Sequence, residues 1–557
     1  MRSALRFGTT VTTAFGLAAA IASAQQTTRQ SVDSAGTEAD NQSFVSGISG
    51  DGRYLAFYSY ATNLVAGDTN AQPDCFVKDT LTGAVTRVSV RTSGVQGNGA
   101  SVSPVVSLDG TITAFQSDAK NMVNGDLNLT TDIFTHNSLT GATKRISVDS
   151  AGNESNGQSV QPVISADGKI VAYASVATNL VAGDTNAQSD IFVYERATGI
   201  TTRVSVDSAG NEGNGFSYSA RISANGQFIF FYSDATNLVA NDTNAATDAF
   251  VYDRSTGITE RVSVDSSGAE GNGISYNGTI TADGSLCAFY SLASNLVAGD
   301  TNGMADIFIH DRTNGTTYRA SLDSAGNEGN NNSFTARISA DGKFVAFYSD
   351  ATNLVAGDTN GFGDIFRKDL TTGETIRLSV DSSGAEGDNT SSAPWNSADG
   401  RFTTFSSLAT NLVASDTNGL TDVFLRDSGT PASWFNYGSG WAGTLFTPTI
   451  TPTAPPAFGT TLTLNLSNSA GINTSAMLML GVTEANILTG KGGSLQLVPL
   501  LFIPLPLPPA GFGLTGTLPG FDPALCGFEV DFQALELDAG ASKGISFTDG
   551  LALILGI

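Results

Sequence analysis

The sequence predicts an all-β protein: a seven-bladed β-propeller closed by an N-terminal strand, followed by a small β-sandwich. Three observations carry that expectation. An Asp-x-Asn triplet recurs at a constant spacing of 58 residues, starting at Asp68, Asp126, Asp184, Asp242, Asp300, Asp358 and Asp416. Each period divides into four strand-length segments separated by turn residues, the pattern of one propeller blade. The two ends of the array are complementary, with a surplus fourth strand before the first period and a missing one in the last.

In chain order, residues 1–24 read as an export signal. Arg2 and Arg6 supply the positive region, residues 11–21 the short apolar stretch, and Ala22-Ser23-Ala24 a cleavage site. The mature chain is expected to begin near Gln25 and to be secreted, periplasmic or held at the cell surface. Residues 25–428 are assigned to the propeller and 429–557 to the sandwich.

The period beginning at Ser333 illustrates a blade. Residues 333–339 alternate and end at Asp341-Gly342, a hairpin signal. Residues 344–349, Phe-Val-Ala-Phe-Tyr-Ser, form the second strand. A long loop over 350–363 precedes the third strand, 364–369. Thr371-Thr372-Gly373 then turns the chain into the fourth, 375–380. The hairpin glycine recurs from Gly52 to Gly400, where positive φ is needed. A third-strand phenylalanine recurs from Phe76 to Phe424 and is expected to pack between blades. The last period, residues 391–427, runs into Ser428-Gly429-Thr430-Pro431 and has no fourth strand. Residues 29–33, Arg-Gln-Ser-Val-Asp, match a fourth strand and would complete the seventh blade, sealing an edge that an open array exposes. A six-bladed ring with a spare unit is disfavoured because every unit has the same length.

Ser339-Ala340-Asp341-Gly342-Lys343-Phe344-Val345-Ala346-Phe347, followed by Asp364-Ile365-Phe366, resembles the TolB-type, WD40-like propeller repeat. The resemblance covers about residues 25–427 and implies a binding platform, an assembly scaffold or an accessory domain. It names no chemistry. The loop between second and third strands is longer here than in that repeat.

Composition narrows the partners. With 52 acidic against 27 basic residues the formal charge is −25, so nucleic acid is excluded and an anionic membrane surface disfavoured. Divalent cations and basic partners are the natural electrostatic matches. Cys75 and Cys287 fall at aliphatic positions of different periods, and Cys526 lies in the other domain, so no disulfide is expected. Residues 495–514 are apolar but carry Pro499, Pro504, Pro506, Pro508 and Pro509, which exclude a transmembrane helix. A monomer is expected.

The long loops carry acids at fixed spacing: Asp68, Asn70 and Asp74; Asp126, Asn128 and Asp132; Asp184, Asn186 and Asp190; Asp242, Asn244 and Asp248; Asp300, Asn302 and Asp306; Asp358, Asn360 and Asp364; Asp416, Asn418 and Asp422. Alternating Asp and Asn oxygens on a tight loop suit calcium, which takes about six to eight oxygen ligands. The pattern is similar to a shortened form of the calcium loops of integrin-type propellers, with one ligand missing. The alternative is that these side chains form Asx-turns and satisfy loop amides. The connection between blades adds Glu38, Glu154, Glu212, Glu270, Glu328 and Glu386 on the same face. Its second copy departs from the pattern with Arg91 and Gln96.

Ligands of a propeller are sought where the copies differ along the innermost strands. Arg221, Arg337 and Trp395 are equivalent positions of the fourth, sixth and seventh blades, and Tyr218 and Tyr276 share a rim position. Guanidiniums, an indole and phenols suit an acidic or sugar-like ligand. The alternative is that the arginines pair with acids between blades and the aromatics fill gaps. Catalytic signals are weak. His136 and His310 share one strand position and are expected to be solvated, without zinc-type spacing around them. Gly540-Ala541-Ser542-Lys543-Gly544 matches G-x-S-x-G, but both histidines lie far upstream. The function expected is an exported, non-enzymatic propeller, stabilised by calcium, that recognises a protein or glycan. The rival is a polysaccharide hydrolase or lyase with acids at the channel mouth.

From Pro431 the repeat stops. Strand-length runs at 461–466, 476–480, 494–498, 511–518, 528–535 and 546–555 give the expected sandwich. Tyr437-Gly438-x-Gly440, Leu462-x-Leu464-x-Leu466-Ser467, Gly492-Gly493 and Ser546-Phe547-Thr548-Asp549-Gly550-Leu551 are similar to a C-terminal module of exported bacterial proteins. That likeness implies export and surface retention.

Overall fold

The computed structural model describes residues 25–429 without a break. Beyond them it describes 433–437, 444–453, 461–482, 484–488, 494–497, 501–517, 529–541 and 545–554, with single residues between. The export signal, Cys526, Gly440, the Gly492-Gly493 pair and residues 542–544 lie outside this set. Thr27–Asp427 forms one compact unit, and Ser428–Ile557 belongs to a second.

The first unit contains seven four-stranded antiparallel sheets in a row. Blade 1 comprises Ser43–Ile48, Tyr54–Ser59, Asp74–Asp79 and Val85–Arg87, the inner, second, third and outer strands. The pattern repeats to blade 7, with Ser391–Asn396, Phe402–Ser407 and Asp422–Asp427. Gln26–Arg29 is its fourth strand, in the order Gln26–Arg29, Asp422–Asp427, Phe402–Ser407, Ser391–Asn396. This strand lies upstream of the segment 29–33 named above. Outer strands end at the arginine, and the residue three further on bridges the following connection, as Val32 does with Glu38 and Val380 with Glu386.

Inner strands touch their neighbours around the whole row, and the first touches the last. At that junction Ser43 N donates to Thr421 O at 2.8 Å and Ala398 N to Gly50 O at 2.7 Å. The hairpin glycines face the preceding blade. A Cβ at Gly52, where φ is 75°, would lie 2.2 Å from the Phe402 ring. Glycine is therefore required there twice over, by backbone conformation and by space.

In blade 1 the third-strand phenylalanine Phe76 stacks on Phe57 of the second strand at 5.5 Å, and equivalent pairs recur in every blade. The cores span adjacent blades: Phe250 and Phe231 of blade 4 sit in one cluster with Ile191 and Val193 of blade 3. Cys75 and Cys287 are buried free thiols within such clusters.

The position shared by His136 and His310 corrects an expectation. It is buried, with exposures of 6% and 3%, rather than solvated. Third strands are covered on both faces by neighbouring blades, so strand alternation there does not separate core from solvent. Residues at this position tie adjacent blades together. Lys78 Nζ donates to Gln30 O at 3.1 Å, and Lys368 Nζ to Asp323 O at 3.0 Å. Nδ1 of His136 lies 2.9 Å from Thr143 Oγ1, and burial lowers its pKa below the ordinary histidine value.

Among the described residues of the second unit, Ser433–Tyr437, Gly550–Ile554, Glu529–Leu537, Thr474–Gly481 and Leu501–Leu507 lie side by side in one sheet. Ile545–Phe547 pairs with Glu529–Leu537. A second sheet contains Ile450–Pro452, Thr461–Leu466 and Phe512–Thr517. Leu462, Leu464 and Leu466 of the smaller sheet share one buried cluster with Leu478, Leu505, Ala534 and Leu551 of the larger. Pro504 and Pro506 occupy the edge strand, where missing N–H groups discourage pairing with another chain.

Removing residues 25–33 strips the outer strand from blade 7 and leaves Asp416 and Asp422 without Arg29. The expected loss is about 3–5 kcal/mol, the cost of stranding buried charges. Urea denaturation measures it, and a synthetic peptide of the same sequence added in trans should restore part of it. Unchanged stability would show that the strand does not close the blade.

Candidate functional site

Two groups of residues carry chemistry. The first is the acidic loop of each blade, which encloses an arginine. The outer strand ends in Arg87, Arg145, Arg203, Arg261, Arg319 or Arg377, and Arg29 takes that place in blade 7. In every blade Nη1 lies 3.0–3.4 Å from the third-strand aspartate and 3.5–3.8 Å from the loop aspartate. In six blades it also reaches the connection glutamate, as Arg203 reaches Glu212 at 2.5 Å. Nη2 donates to a loop carbonyl, Gly183 O at 3.2 Å in the same blade. The sequence carried the signal in plain view: Arg-x-Ser recurs with the period, and the serine (Ser205 in blade 3) donates to Asp190 Oδ1 at 2.5 Å.

The asparagine of the motif is turned away from the role of an oxygen ligand. Asn186 Oδ1 accepts from Gln188 N at 2.7 Å, an Asx-turn, and its Nδ2 donates to Gly213 O at 2.8 Å. The same pair of bonds recurs in all seven blades. As folded, each asparagine's amide oxygen is engaged in its own turn, and an arginine stands among the carboxylates.

Blade 1 differs from the rest in an informative way. There Gln96 replaces the glutamate, and its Nε2 donates to Asp68 Oδ1 and to Asp74 Oδ2, both at 2.8 Å. In the other six blades a glutamate stands at that point, and Oδ1 of the loop aspartate is buried without a donor. Burial first, and then the neighbouring aspartate, push the carboxyls of Asp184, Asp242, Asp358 and Asp416 up to about 6. Burial also opposes ionisation of Glu212, but hydrogen bonds from Thr185 and the charge of Arg203 outweigh it and hold that carboxyl below its usual value.

The second group lies on the inner strands of blades 4 to 7. Each of the blade 4 to 6 strands carries a bulge at a non-glycine residue of positive φ: Ser219 at 44°, Asn277 at 38° and Thr335 at 58°. Such values are strained for side-chain-bearing residues, and bulges re-aim the side chains that follow. Arg221 and Arg337 both turn onto Trp395, with Cζ 5.5 and 4.4 Å from its ring centroid. Both donate to Asn277 Oδ1, at 3.3 and 3.4 Å, and to carbonyls of their own strands, Ala220 O and Ala336 O. Asn277 is a member of this group that the sequence did not single out. The seven inner strands contain no Asp or Glu.

Tyr218 and Tyr276 belong to a neighbouring aromatic row rather than to the arginine pair itself. Rings run Tyr218, Tyr232, Tyr276, Tyr290, Phe334 and Tyr348, with centroids 5.0–6.2 Å apart. The Tyr218 hydroxyl donates to Asp234 at 3.1 Å, and the Tyr276 hydroxyl accepts from Thr247 Oγ1 at 3.0 Å. Tyr232 joins the two groups, donating to Ser219 Oγ at 3.1 Å beside Arg221.

No family model matches the chain, and no curated protein matches it. Similar solved structures include one described as TolB from Agrobacterium tumefaciens, 13% identical, covering 62% of this chain and 93% of that one, with a TM-score of 0.34. The RRP9 WD40 repeats are 8% identical over 69% of this chain and 94% of that one, with a TM-score of 0.35. The extracellular domain of a hybrid two-component system from B. thetaiotaomicron is 11% identical over 80% and 46%, with a TM-score of 0.36. The likeness is to the propeller fold, which the sheet order already establishes, and carries nothing about function.

The raised aspartates give a pH dependence of defined sign. A carboxyl whose folded pKa is about 6 holds a proton that the unfolded chain, near 3.8, has released. Its contribution is present in full below about pH 4 and is lost as pH rises through 6. Glu386, Asp79 and Asp167, held at about 2, act in the opposite sense below that window. His136 and His310, which burial lowers from the ordinary histidine value, oppose the trend inside it, two groups against four aspartates. With EDTA present, stability is expected to fall between pH 4.5 and 7.5. E212Q, which copies Gln96 of blade 1, should narrow that difference by on the order of 1 kcal/mol, the net value of one hydrogen bond. An unchanged difference in urea denaturation would refute the assignment of the proton to this pair.

Proposed function

We propose that this protein is an exported, non-enzymatic binding propeller that recognises a protein or glycan at the mouth of its channel. The supporting observation is the meeting of Arg221, Asn277, Arg337 and Trp395 from four successive blades in a region whose inner strands have no carboxylate. Glycoside cleavage needs two carboxyl groups across a bond, about 5 to 10 Å apart. The rim carboxylates of Asp234 and Asp350 are instead engaged by the tyrosine hydroxyls of Tyr218 and Tyr348. Export rests on the order of charge, apolar run and Ala-Ser-Ala site in residues 1–24, and N-terminal sequencing of secreted protein should begin at Gln25.

The test compares binding with cleavage on one panel of polysaccharides. Retardation in affinity electrophoresis without release of reducing ends is expected, with retardation lost in Trp395→Ala. Release of product that disappears in Asp234→Asn would establish an enzyme in place of a binder.

A second reading, calcium stabilisation, is favoured by one separate observation. In six blades the loop aspartate has a buried Oδ1 without a donor, and in five of these an Asp-Asp-Glu set has ligand oxygens within 4.8 Å of one another. Calcium there would share the carboxylates with the arginine and leave the asparagine in its turn. On this reading EDTA lowers the thermal midpoint and added calcium restores it. An unchanged midpoint in both would remove calcium from the account.

A further inference from the structure

Resting on the reading of the channel as a binding site, we infer that what it takes is a single oxyanionic group, a carboxylate, phosphate or sulfate, carried on an otherwise neutral molecule. The charge balance around Arg221 and Arg337 is the starting point. Arg337 is 5% exposed, and among the described residues neither guanidinium has a carboxylate within ion-pairing distance. The arginines of the acidic loops, by contrast, sit among two or three carboxylates each. Everything that holds this pair is neutral: an indole face, one amide oxygen and two peptide carbonyls. Nε of both residues has no acceptor among the described residues.

Two cations sharing one amide oxygen repel each other, and burial deprives them of water. Burial brings Arg221 down to about 10, and burial together with the charge of Arg221 lowers Arg337 well below the guanidinium range. A guanidinium left without a counter-charge in such surroundings is costly, and an anion between the two is the partner that removes both penalties. Planar forks of N–H donors match oxyanions with two or more oxygens, and Asn277 stands between them with an amide nitrogen still to offer.

Charge elsewhere sets the selectivity. The inner strands begin on the face that carries the acidic loops, since Ser217 pairs with Ser233 and Ser233 with Asp248. Asp234 stands there against Tyr218. The arginines lie toward the other end of these strands, where the hairpin turns carry Asp51, Asp109, Asp167, Asp283, Asp341 and Asp399. A polyanion reaching them would therefore meet carboxylates on either face, whereas one anionic group at the end of a neutral molecule would be repelled least.

The experiment titrates the full-length exported chain with sodium glucuronate, phosphate, sulfate and, as neutral control, glucose, reading heat of binding and the thermal midpoint. One or more of the anions should bind and raise the midpoint with concentration, glucose should not, and the three arms identify the oxyanion. The double variant Arg221→Met/Arg337→Met is expected to melt higher than wild type without ligand, since it removes an uncompensated charge pair. It should also lose anion affinity by about tenfold or more. If the variant does not fold, a crystal of the wild-type protein soaked in selenate gives the second readout, a selenium peak between the two guanidiniums. Absence of binding by all three anions, or equal anion affinity in the variant, or, where sulfate binds, no selenium peak, would overturn the inference. Glucose bound as well as glucuronate would also overturn it, while leaving the channel as a binding site intact.

Discussion

The structure depends on one interaction repeated seven times: an arginine at the end of an outer strand held by carboxylates of the loop beside it. The outer strand is short, three or four residues, and has a neighbour on one side only. Ladder bonds alone hold so short an edge weakly. The arginine adds charge-assisted bonds to the third-strand aspartate and to the loop carbonyl, and the connection glutamate binds the same guanidinium while accepting from a loop amide. Strand, loop and connection are thus fastened at one buried point. In blade 7 the guanidinium is Arg29, delivered from the other end of the propeller, so the interaction that finishes each blade also joins the start of the ring to its end.

Much of this was legible in the sequence because the period never varies. Constant length fixed the number of blades, glycine at each hairpin marked the turn, and alternation in the inner strand and the aromatic, β-branched content of the second placed the core. What was not legible follows from geometry that one-dimensional spacing cannot carry. The loop acids were visible as a cluster, but their partner Arg203 lies on another strand, and only the fold brings it among them. His136 was misplaced on the surface because alternation marks solvent only for a strand with one free face, and third strands have none. Tyr218 and Arg221 differ by an odd number of residues, so simple alternation sets them on opposite faces. The bulge restores them to one face, pairing them with Tyr232 and Phe230.

The two charged regions obey opposite rules, and the contrast separates structure from function. In the acidic loops an excess of carboxylate surrounds each arginine, and the design recurs with small variation, including the amide of Gln96 in place of Glu. Interactions present in every blade have an internal purpose, since each blade must be closed. The arginines of the channel are not repeated. Gly47, Val105 and Val163 occupy the equivalent place in blades 1 to 3, and Thr279 in blade 5. Closure does not require them.

That asymmetry bears on how a seven-fold scaffold acquires a site with a direction. A ring of identical positions presents the same group from every side and cannot orient a ligand that lacks the same symmetry. Arg221, Asn277, Arg337 and Trp395 are confined to one side of the ring, while Gly47, Val105 and Val163 stand at the arginine position on the other. The strain needed to aim these side chains is already present in their bulges, and bulges of positive φ occur also at Ser103 and Gln161, in blades without an arginine. Because the backbone distortion is present with or without an arginine, the side chain at one inner-strand position can change while the blade closure around it is untouched. In such a fold, specificity is free to change without cost to the interaction that holds the ring together.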